Sequence, residues 1–307
     1  MVRSRHGSST TPLLSVIIAA YNDWTLLDGC LRSLASEKEL EFEVIVVDDG
    51  SDDPAPEYIR RWIASYPLTI LRETHQGVSS ARNRGIHASK APLLLFVDAD
   101  SRVQAGCLAK LVSAVAAAPQ CNFFQLRLVG DLSTLTGRAE ELRLRTLQQY
   151  MLQPTRSIRY LNTAGFAVRP ATLDPQMYLF DAGAVRGEDT LLLARLIERG
   201  ELPLFVSEAS VQHVVPRSLR QYLQKSIRSA YLESGTYRLI ASKLVRIRIS
   251  NRERFRLLLA MWEVAGRDSI GRSAWLVLII RQSLQRVVSL ICWLFRACNR
   301  PSAVVEK

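Results

Sequence analysis

Two aspartates separated by one residue, Asp98 and Asp100, offer the clearest chemistry in the chain. They follow the apolar run 92–97, which has the composition of a strand buried on both faces. Mg²⁺ and Mn²⁺ prefer oxygen ligands, and Mg²⁺ is usually held by one or two carboxylates together with substrate phosphates. The same aspartates could instead cap the helix that follows. Because they stand directly after a buried strand, we predict a metal site.

Two further polar clusters also follow apolar runs directly. The pair Asp48-Asp49 comes after residues 42–47, and the triplet that begins at Tyr21 comes after residues 14–20. The aspartates could bind a base or a ribose, although an ordinary turn between a strand and a helix has a similar composition. Open α/β sheets bind ligands beyond the carboxyl ends of their strands. Three runs that each end in polar residues therefore predict one shared ligand site.

Other candidates stand alone later in the chain. Glu188 and Asp189 open a predicted helix, where the helix dipole stabilises acidic residues. A carboxylate there could also act as a general base toward an attacking hydroxyl, but the pair alone favours the structural interpretation. His213 lies on an apolar run, where a single histidine is usually an interior residue. Contact with a metal or a phosphate is the alternative for this histidine.

The spacing of apolar residues predicts the elements that must position these groups. Over the first hundred residues it predicts strands at 14–20, 42–47, 68–71 and 92–97, alternating with helices at 25–35, 56–66 and 78–89. Later it predicts helices at 107–117, 136–151 and 190–199, and strands at 122–128, 165–168, 204–206 and 211–214. The alternation predicts an α/β fold with a doubly wound, mostly parallel sheet. No G-x-G-x-x-G follows the first strand, which disfavours a nucleotide-dependent dehydrogenase.

Length and composition limit the class of protein. The 307 residues suffice for one large α/β domain with an appendage, and 48% hydrophobic residues exclude a disordered chain or one with many membrane spans. The five cysteines form no C-x-x-C pair and predict buried or idle thiols in a reducing compartment, so we expect a cytoplasmic protein. Residues 1–11, rich in Ser, Thr and Arg, are predicted to be a disordered tail.

The net charge of +11 is concentrated at the carboxyl end. Residues 214–307 hold 18 of the 40 Lys and Arg residues but only 5 of the 29 Asp and Glu residues. This excess predicts an anionic partner, either a membrane surface or a nucleic acid. Nucleic acid is disfavoured because no recognition motif is present and aromatic residues are not interleaved with the arginines.

Residues 275–295 are mostly apolar but contain Arg281 and Arg286 near the middle. Each arginine would cost about 2.5–3.5 kcal/mol at the centre of a bilayer, which makes a membrane span unfavourable. Polar residues form one stripe, made of Arg281, Gln282, Gln285, Arg286, Ser289 and Arg296. Apolar residues lie on the other face, namely Ile280, Leu284, Val287, Ile291 and Leu294. We predict an amphipathic helix at an anionic membrane surface, aided by arginines 246, 248, 252, 254 and 256; packing on the protein or on a second subunit is the alternative.

Five segments, taken together, resemble the family 2 glycosyltransferases. They occur in the order seen in that family and read LSVIIAAYN (14–22), VIVVDDGSD (44–52), GVSSARNRGIHAS (77–89), PLLLFVDADS (92–101) and GEDTLL (187–192). The resemblance spans about residues 13–215 and is far more specific than any single motif. It implies the A-type nucleotide-diphospho-sugar transferase fold, a nucleotide-sugar donor with a UDP-sugar favoured, and inversion at the anomeric carbon.

The resemblance also implies roles for individual residues. The nucleoside would be bound by Ala20, Tyr21, Asp48, Asp49 and Asp98. A Mn²⁺ or Mg²⁺ ion would be bound by Asp98, Asp100 and His213. Asp189 would be the catalytic base, and the sugar and acceptor pocket would include Asn162, Thr163, Gly165 and Glu188. Arg82 and Asn83 match a helix beside the donor site, although an exposed or structural role is equally consistent with the sequence.

We therefore predict a nucleotide-sugar-binding glycosyltransferase domain at 12–215 and a basic helical extension at 216–307. The Q-x-x-R-W motif of processive synthases is absent, and Arg220-Gln221-Tyr222 is its nearest approach. We thus predict metal-dependent transfer of a single sugar to a carbohydrate or lipid-linked acceptor. The basic extension suits a cytoplasmic enzyme that is peripheral on the inner face of the cell membrane. The alternative is a non-catalytic nucleotide-sugar-binding protein on the same fold.

Overall fold

The computed structural model describes residues 11–172, 179–183, 186–240, 251–267 and 270–298. Its first half is a parallel sheet of β1 (Leu14–Ala20), β2 (Phe42–Asp48), β3 (Leu68–Arg72) and β4 (Leu94–Phe96). These strands are joined by α1 (Trp24–Leu34), the short α2 (Glu57–Arg60) and α3 (Val78–Ala88). Every residue of β2 and β4 is buried, which explains their nearly continuous apolar sequences.

The second half extends this sheet with both parallel and antiparallel strands. They are β5 (Ser101–Val103), β6 (Phe123–Val129), β7 (Phe166–Val168) and β8 (Leu204–His213). The helices here are α4 (Cys107–Ala116), α5 (Leu135–Met151) and α6 (Glu188–Arg199). The strand order is β3-β2-β1-β4-β7-β6-β8-β5, and four of the seven pairings are parallel. The predicted α/β fold with a mostly parallel sheet is confirmed.

Helices cover both faces of the sheet. Along β1, Val16 and Ile18 belong to a buried cluster with Leu31 of α1, whereas Ile17 belongs to a second cluster with Leu192 of α6. Successive residues of a strand point to opposite faces, so α1 and α6 lie on opposite sides of the sheet. This is the predicted doubly wound arrangement.

The predicted elements and the structure differ in three regions. The strands predicted at 204–206 and 211–214 are one strand, β8, in which exposed Ser207 and Glu208 interrupt the apolar pattern. The helix predicted at 56–66 is only the short α2 followed by a 3-10 turn, Arg61–Ala64. The three-residue strand β5 was not predicted, because only its pairing with β8 distinguishes it from a turn.

The carboxyl ends of β1, β2 and β4 meet at one edge of the sheet. Ala20 at the end of β1 lies opposite Asp48, and Asp48 lies opposite Arg72 at the end of β3. On the other side, the amide of Val97 donates to the carbonyl of Ile17 at 3.1 Å, which continues the pairing of β4 with β1. The polar residues that follow these strands therefore share one edge.

In the part of the chain after the sheet that the structure describes, the helices are α7 (Leu219–Ile240), α8 (Asn251–Arg267) and α9 (Arg272–Cys298). They join α5 in a separate apolar cluster that contains Leu142 of α5, Met261 of α8 and Leu278 of α9. The helical character predicted beyond residue 216 is confirmed for the described part of the chain. Residues 1–10 of the predicted tail at 1–11, and the predicted arginines 246 and 248, lie outside the described residues.

The two faces of α9 differ from the predicted pattern. The side that faces the protein includes Ala274, Leu278 and the partly buried Arg281. Arg281 Nη1 forms an ion pair with Glu140 Oε2 at 3.3 Å. The opposite side exposes apolar residues: Leu276, Ile280, Val287, Leu290, Ile291 and Leu294. The stretch Arg272–Cys292 is long and apolar enough to cross a membrane, by length and composition alone. The residues of the predicted polar stripe therefore have different environments, because Arg281 is partly buried against the protein whereas Arg286 is exposed.

Candidate functional site

Asp48 and Asp49 are both buried at the edge of the sheet, but they have different partners. Asp48 accepts a hydrogen bond from the amide of Ser51 at 2.9 Å. Asp49 accepts hydrogen bonds from the amides of Gln76 at 2.8 Å and Gly77 at 3.0 Å, and so fixes the loop before α3. Asp48 Oδ2 also lies 3.6 Å from Arg72 Nε, and Asp49 Oδ2 lies 2.9 Å from His75 Nδ1. Since a carboxylate can accept about four hydrogen bonds, Asp48 has the larger remaining capacity for a ligand.

Tyr21 and His75 form a stacked pair beside Asp49. Their ring centroids are 4.2 Å apart with an angle of 22° between the planes. His75 Nδ1 lies 2.9 Å from Asp49 Oδ2, which orients the imidazole. Both side chains are exposed, and they offer an aromatic surface at the end of β1. Tyr21 was a predicted site residue, whereas His75 was missed because it lies in a loop with no periodic signal.

Arg82 of α3 connects two acidic segments that are distant in sequence. Its guanidinium is buried, 2.7 Å from Asp98 Oδ1 and 2.7 Å from Glu188 Oε1. One turn along, Gly85 allows α3 to lie close to β1, since a Cβ there would overlap Ile17 Cγ2. Burial alone would raise the pKa of Glu188, but Arg82 holds it below its ordinary value. The structure therefore joins Asp98 and Glu188 through a buried cation.

Asn83, the neighbour of Arg82, has a structural role. Its Nδ2 donates to the carbonyl of Phe180 at 2.8 Å, and its Oδ1 accepts from the amide of Phe180 at 3.1 Å. This double contact attaches the described segment 179–183 to α3.

Asp100 lies among cationic side chains. Its Oδ2 is 2.7 Å from Lys225 Nζ of α7 and 3.6 Å from His213 Nε2. The pairing of β5 with β8 brings the histidine here, because Ser101 lies opposite His213. Burial would raise the pKa of Asp100, but His213 and Lys225 hold it well below its ordinary value. Asp100 is therefore an ionised carboxylate with positive charge around it.

Glu140, a buried residue of α5, lies on the far side of His213. It contacts four donors, with distances of 2.6–3.4 Å: Arg143, His213, Tyr222 and Arg281. Burial would lower the pKa of His213, but Asp100 and Glu140 raise it to about 10. The imidazole is therefore a cation at neutral pH in this arrangement. Glu140 was not predicted, since an acid within an amphipathic helix gives no functional signal.

Asp189 stands in the first turn of α6 and is partly buried. Its Oδ1 accepts a hydrogen bond from the amide of Thr190 at 2.6 Å. Burial, and then the charge of Glu188, raise the pKa of Asp189 to about 7. A general base works best when its pKa is close to the working pH. Asp189 can therefore accept a proton near neutrality more effectively than an ordinary aspartate.

The predicted sugar-pocket residues Asn162, Thr163 and Gly165 form the turn before β7. Asn162 Oδ1 accepts from the amide of Ala164 at 2.9 Å and caps this turn. Thr163 and Gly165 are buried, and a Cβ on Gly165 would come within 2.9 Å of Leu128 of β6. Of the three, Asn162 is the residue with partial exposure.

In the described part of the chain, the predicted metal ligands do not form a complete coordination site. Among the described residues, no three His, Cys, Asp or Glu side chains gather as a metal site. Asp98 pairs with Arg82, while Asp100 and His213 lie together. Mg²⁺ commonly takes one or two carboxylates and completes its shell with phosphates and water. The arrangement therefore suits a cation that arrives with a diphosphate, and the ammonium of Lys225 already shows that a cation is held at Asp100.

Comparison with known sequences gives a consistent family match. The profile of Glycosyl transferase family 2 matches residues 15–172. Putative glycosyltransferase EpsH of Bacillus subtilis is 30% identical over 95 residues, which are 31% of this chain and 28% of the relative. Glycosyltransferase AglE of Haloferax volcanii is 38% identical over 112 residues, 35% of this chain and 37% of the relative. The match thus spans about a third of the length of these relatives.

Two solved structures share the fold. The mannosyltransferase PcManGT from Pyrobaculum calidifontis, in complex with GDP-Man and Mn²⁺, has a TM-score of 0.58 and 17% identity, covering 92% of this chain and 86% of that chain. TarS 1–349 of S. aureus, in complex with UDP-GlcNAc, has a TM-score of 0.52 and 17% identity, covering 91% and 89%. Identities this low show the fold alone, and the fold is the A-type expected from the sequence.

Proposed function

Since the chain belongs to glycosyl transferase family 2, we propose that it moves one sugar from a nucleotide-sugar to an acceptor hydroxyl with inversion at the anomeric carbon. The reaction would require a Mn²⁺ or Mg²⁺ ion, which Asp98, Asp100 and His213 would hold. The observation that supports this best is Asp189, a partly buried carboxyl group whose pKa is raised to about 7. Asp189 follows Glu188 in sequence. Arg82 forms ion pairs with both Glu188 and Asp98, and Asp98 is a predicted metal ligand.

The nucleoside is proposed to bind at the ends of β1 and β2. Asp48 accepts a hydrogen bond from the base, because its carboxylate has capacity that Asp49 has already used on the loop before α3. The exposed rings of Tyr21 and His75 provide a stacking surface beside it. Asp98 is proposed to contact the ribose or the metal. A UDP-sugar remains the favoured donor.

The diphosphate is proposed to lie at Asp100. Asp100, with Asp98 and His213, would hold the metal ion, which when bound stabilises the negative charge that develops on the leaving diphosphate. His213 is a cation between two carboxylates in this structure, so it binds a metal only after losing a proton and otherwise donates to a phosphate.

Asp189 is proposed to take the proton of the acceptor hydroxyl. The acceptor oxygen forms a bond to the anomeric carbon as the bond to the diphosphate breaks, and the proton passes to the Asp189 carboxylate. Glu188 stays ionised because of Arg82, and it accepts hydrogen bonds from sugar or acceptor hydroxyls. Direct displacement of this kind inverts the anomeric centre.

The decisive test is Asp189→Asn, with Glu198→Gln as a control because Glu198 is an exposed residue of the same helix. A panel of UDP-, GDP- and TDP-sugars is first screened for a rise in melting temperature, since only a bound donor stabilises the folded state. We expect Asp189→Asn to lower transfer or donor hydrolysis by about 10²–10⁴-fold, with donor binding retained. Near-normal turnover in this variant would exclude the proposed base. Binding of a donor without turnover by the natural protein would favour the non-catalytic alternative.

The acceptor is proposed to be carried at the inner face of the cell membrane, as a lipid-linked molecule. The exposed apolar side of α9, including Val287 and Leu290, is suited to the interfacial region of a bilayer. Arg252, Arg256 and Arg286 are exposed on α8 and α9 and would contact anionic head groups. Because Arg281 holds α9 to Glu140, we propose that the helix lies on the membrane and does not cross it.

A further inference from the structure

Lys225 belongs to the helical extension, yet it lies at the carboxylate that the proposed metal would use. Its Nζ is 2.7 Å from Asp100 Oδ2, and its side chain is 47% exposed. The preceding turn of α7 is firmly anchored, because Tyr222 is only 3% exposed and its hydroxyl lies 3.1 Å from Arg281 and 3.4 Å from Glu140. Residues three apart on a helix share a face, so this anchor presents Lys225 toward Asp100.

The cations around the site differ in how they are held. Arg82 lies between two carboxylates, Asp98 and Glu188. His213 likewise lies between Asp100 and Glu140. Among the described residues, the carboxylate that Lys225 contacts directly is Asp100, the group that a metal ion would take over. Asp23, just after β1, attracts the ammonium group at longer range. Among these three cations, Lys225 is therefore the one that metal binding would release.

We propose that Lys225 exchanges partners: it neutralises Asp100 before the donor arrives and binds the donor's diphosphate once metal and donor are present. This inference rests on the proposed function. A divalent cation at Asp100 repels the ammonium group, while the diphosphate brings negative charge to the same place. The lysine side chain is flexible and carries three rotatable donors, so it can turn from carboxylate to phosphate while α7 stays in place. The helical extension thereby supplies a donor-binding residue.

The test compares Lys225→Met with Arg220→Met, an exposed position on the same helix that does not share the face of Lys225. Binding of Mn²⁺ alone, of UDP, GDP and TDP with Mn²⁺, and of the parent nucleosides is measured by calorimetry. For Lys225→Met we expect tighter binding of Mn²⁺ alone, because the competing ammonium is gone. We expect about ten-fold or greater weakening for the nucleoside diphosphate, the effect of losing a charge-assisted hydrogen bond. The nucleoside should bind as it does to the natural protein, and Arg220→Met should change nothing.

Unchanged diphosphate binding in Lys225→Met would overturn the proposal. Equal weakening of nucleoside and diphosphate would also overturn it, because that pattern indicates a general loss of the site. These results are separable from a failure of the proposed function. If the natural protein binds UDP, GDP or TDP in a Lys225-dependent way but turns over no nucleotide-sugar, the transferase assignment fails while the diphosphate contact stands.

Discussion

Asp98 and Asp100 are one residue apart in sequence but belong to different charge networks. Asp98 is paired with Arg82 of α3, and Asp100 is paired with Lys225 of α7 and lies near His213. The first network extends to Glu188 and the neighbouring base candidate, whereas the second extends to Glu140 and the helical extension. A change in either aspartate is therefore transmitted to a different part of the proposed site.

The raised pKa of Asp189 predicts how stability depends on pH. In the unfolded chain its pKa is about 3.9, against about 7 in the folded protein. Below pH 4 both states hold the proton; between about 4 and 7 the folded state holds more protons, so stability falls as pH rises. Asp189→Asn removes this cost, and we expect its advantage over the natural protein to grow from near zero at pH 4 to about 1–2 kcal/mol above pH 7.

Urea denaturation at pH 4 to 8 measures this difference. Asp53→Asn is the matched control, because it makes the same change at an exposed aspartate. A gap for Asp189→Asn that stays constant over this range would contradict a raised pKa at that position.

Site residues that follow strands could be predicted from the sequence more readily than the residues that contact those site residues. Asp48 and Asp98 could be found because each comes directly after a buried apolar run, and Asp100 because it stands two residues beyond Asp98. His75 and Glu140 could not, since one lies in a loop and the other within an amphipathic helix. Their significance depends on contacts made in three dimensions: the Tyr21 ring for His75 and four donors for Glu140.

At the scale of elements, the packing of α3 on β1 sets the position of Arg82. Gly85→Ala places a methyl group where Ile17 Cγ2 now lies. Overpacking costs about 1–3 kcal/mol, and the gain in helix propensity of about 1 kcal/mol offsets only part of it. We expect a net loss of up to about 2 kcal/mol in unfolding free energy, and lower turnover because Arg82 shifts from Asp98 and Glu188.

Chemical denaturation and donor hydrolysis measure the two effects of Gly85→Ala. Gly266→Ala in α8 is the control, because the nearest atoms to its Cβ would be those of Arg272 at 3.7 Å, an ordinary contact distance. That variant should be neutral or slightly stabilised. Equal behaviour of the two variants would mean that the α3–β1 contact does not limit the position of Arg82.

The sequence correctly predicted strands that are buried on both faces. It failed where the extent of a strand depends on pairing with other strands. Strands β1, β2 and β4 have continuous apolar sequences, so their existence follows from composition. In β8 the exposed residues Ser207 and Glu208 break the pattern, and the strand continues because β6 and then β5 pair with it. Such pairings join residues that are far apart in sequence, so a local sequence pattern carries no information about them.

At the scale of the whole molecule, the positively charged side chains of the basic extension fall into two groups with different surroundings. Lys225 and Arg281 point to the site, at Asp100 and Glu140. Arg256 and Arg286 are exposed on α8 and α9. The sequence revealed the positive excess beyond residue 214, but it could not separate these groups, because the division follows from how α7 and α9 pack on α5.

The exposed apolar side of α9 predicts binding to anionic vesicles. Leu290 is 56% exposed, and so is Ile63 near the short α2, which makes Leu290→Glu and Ile63→Glu a matched pair. Full burial of a leucine contributes about 1.5–3 kcal/mol, so we expect Leu290→Glu to weaken co-sedimentation with phosphatidylglycerol vesicles by about ten-fold or more and Ile63→Glu to leave it unchanged. Added salt should weaken binding of the natural protein, because screening reduces the attraction between arginines and head groups. Equal binding by both variants would exclude this face, and a dimer that Leu290→Glu dissociates would identify a second subunit as its partner.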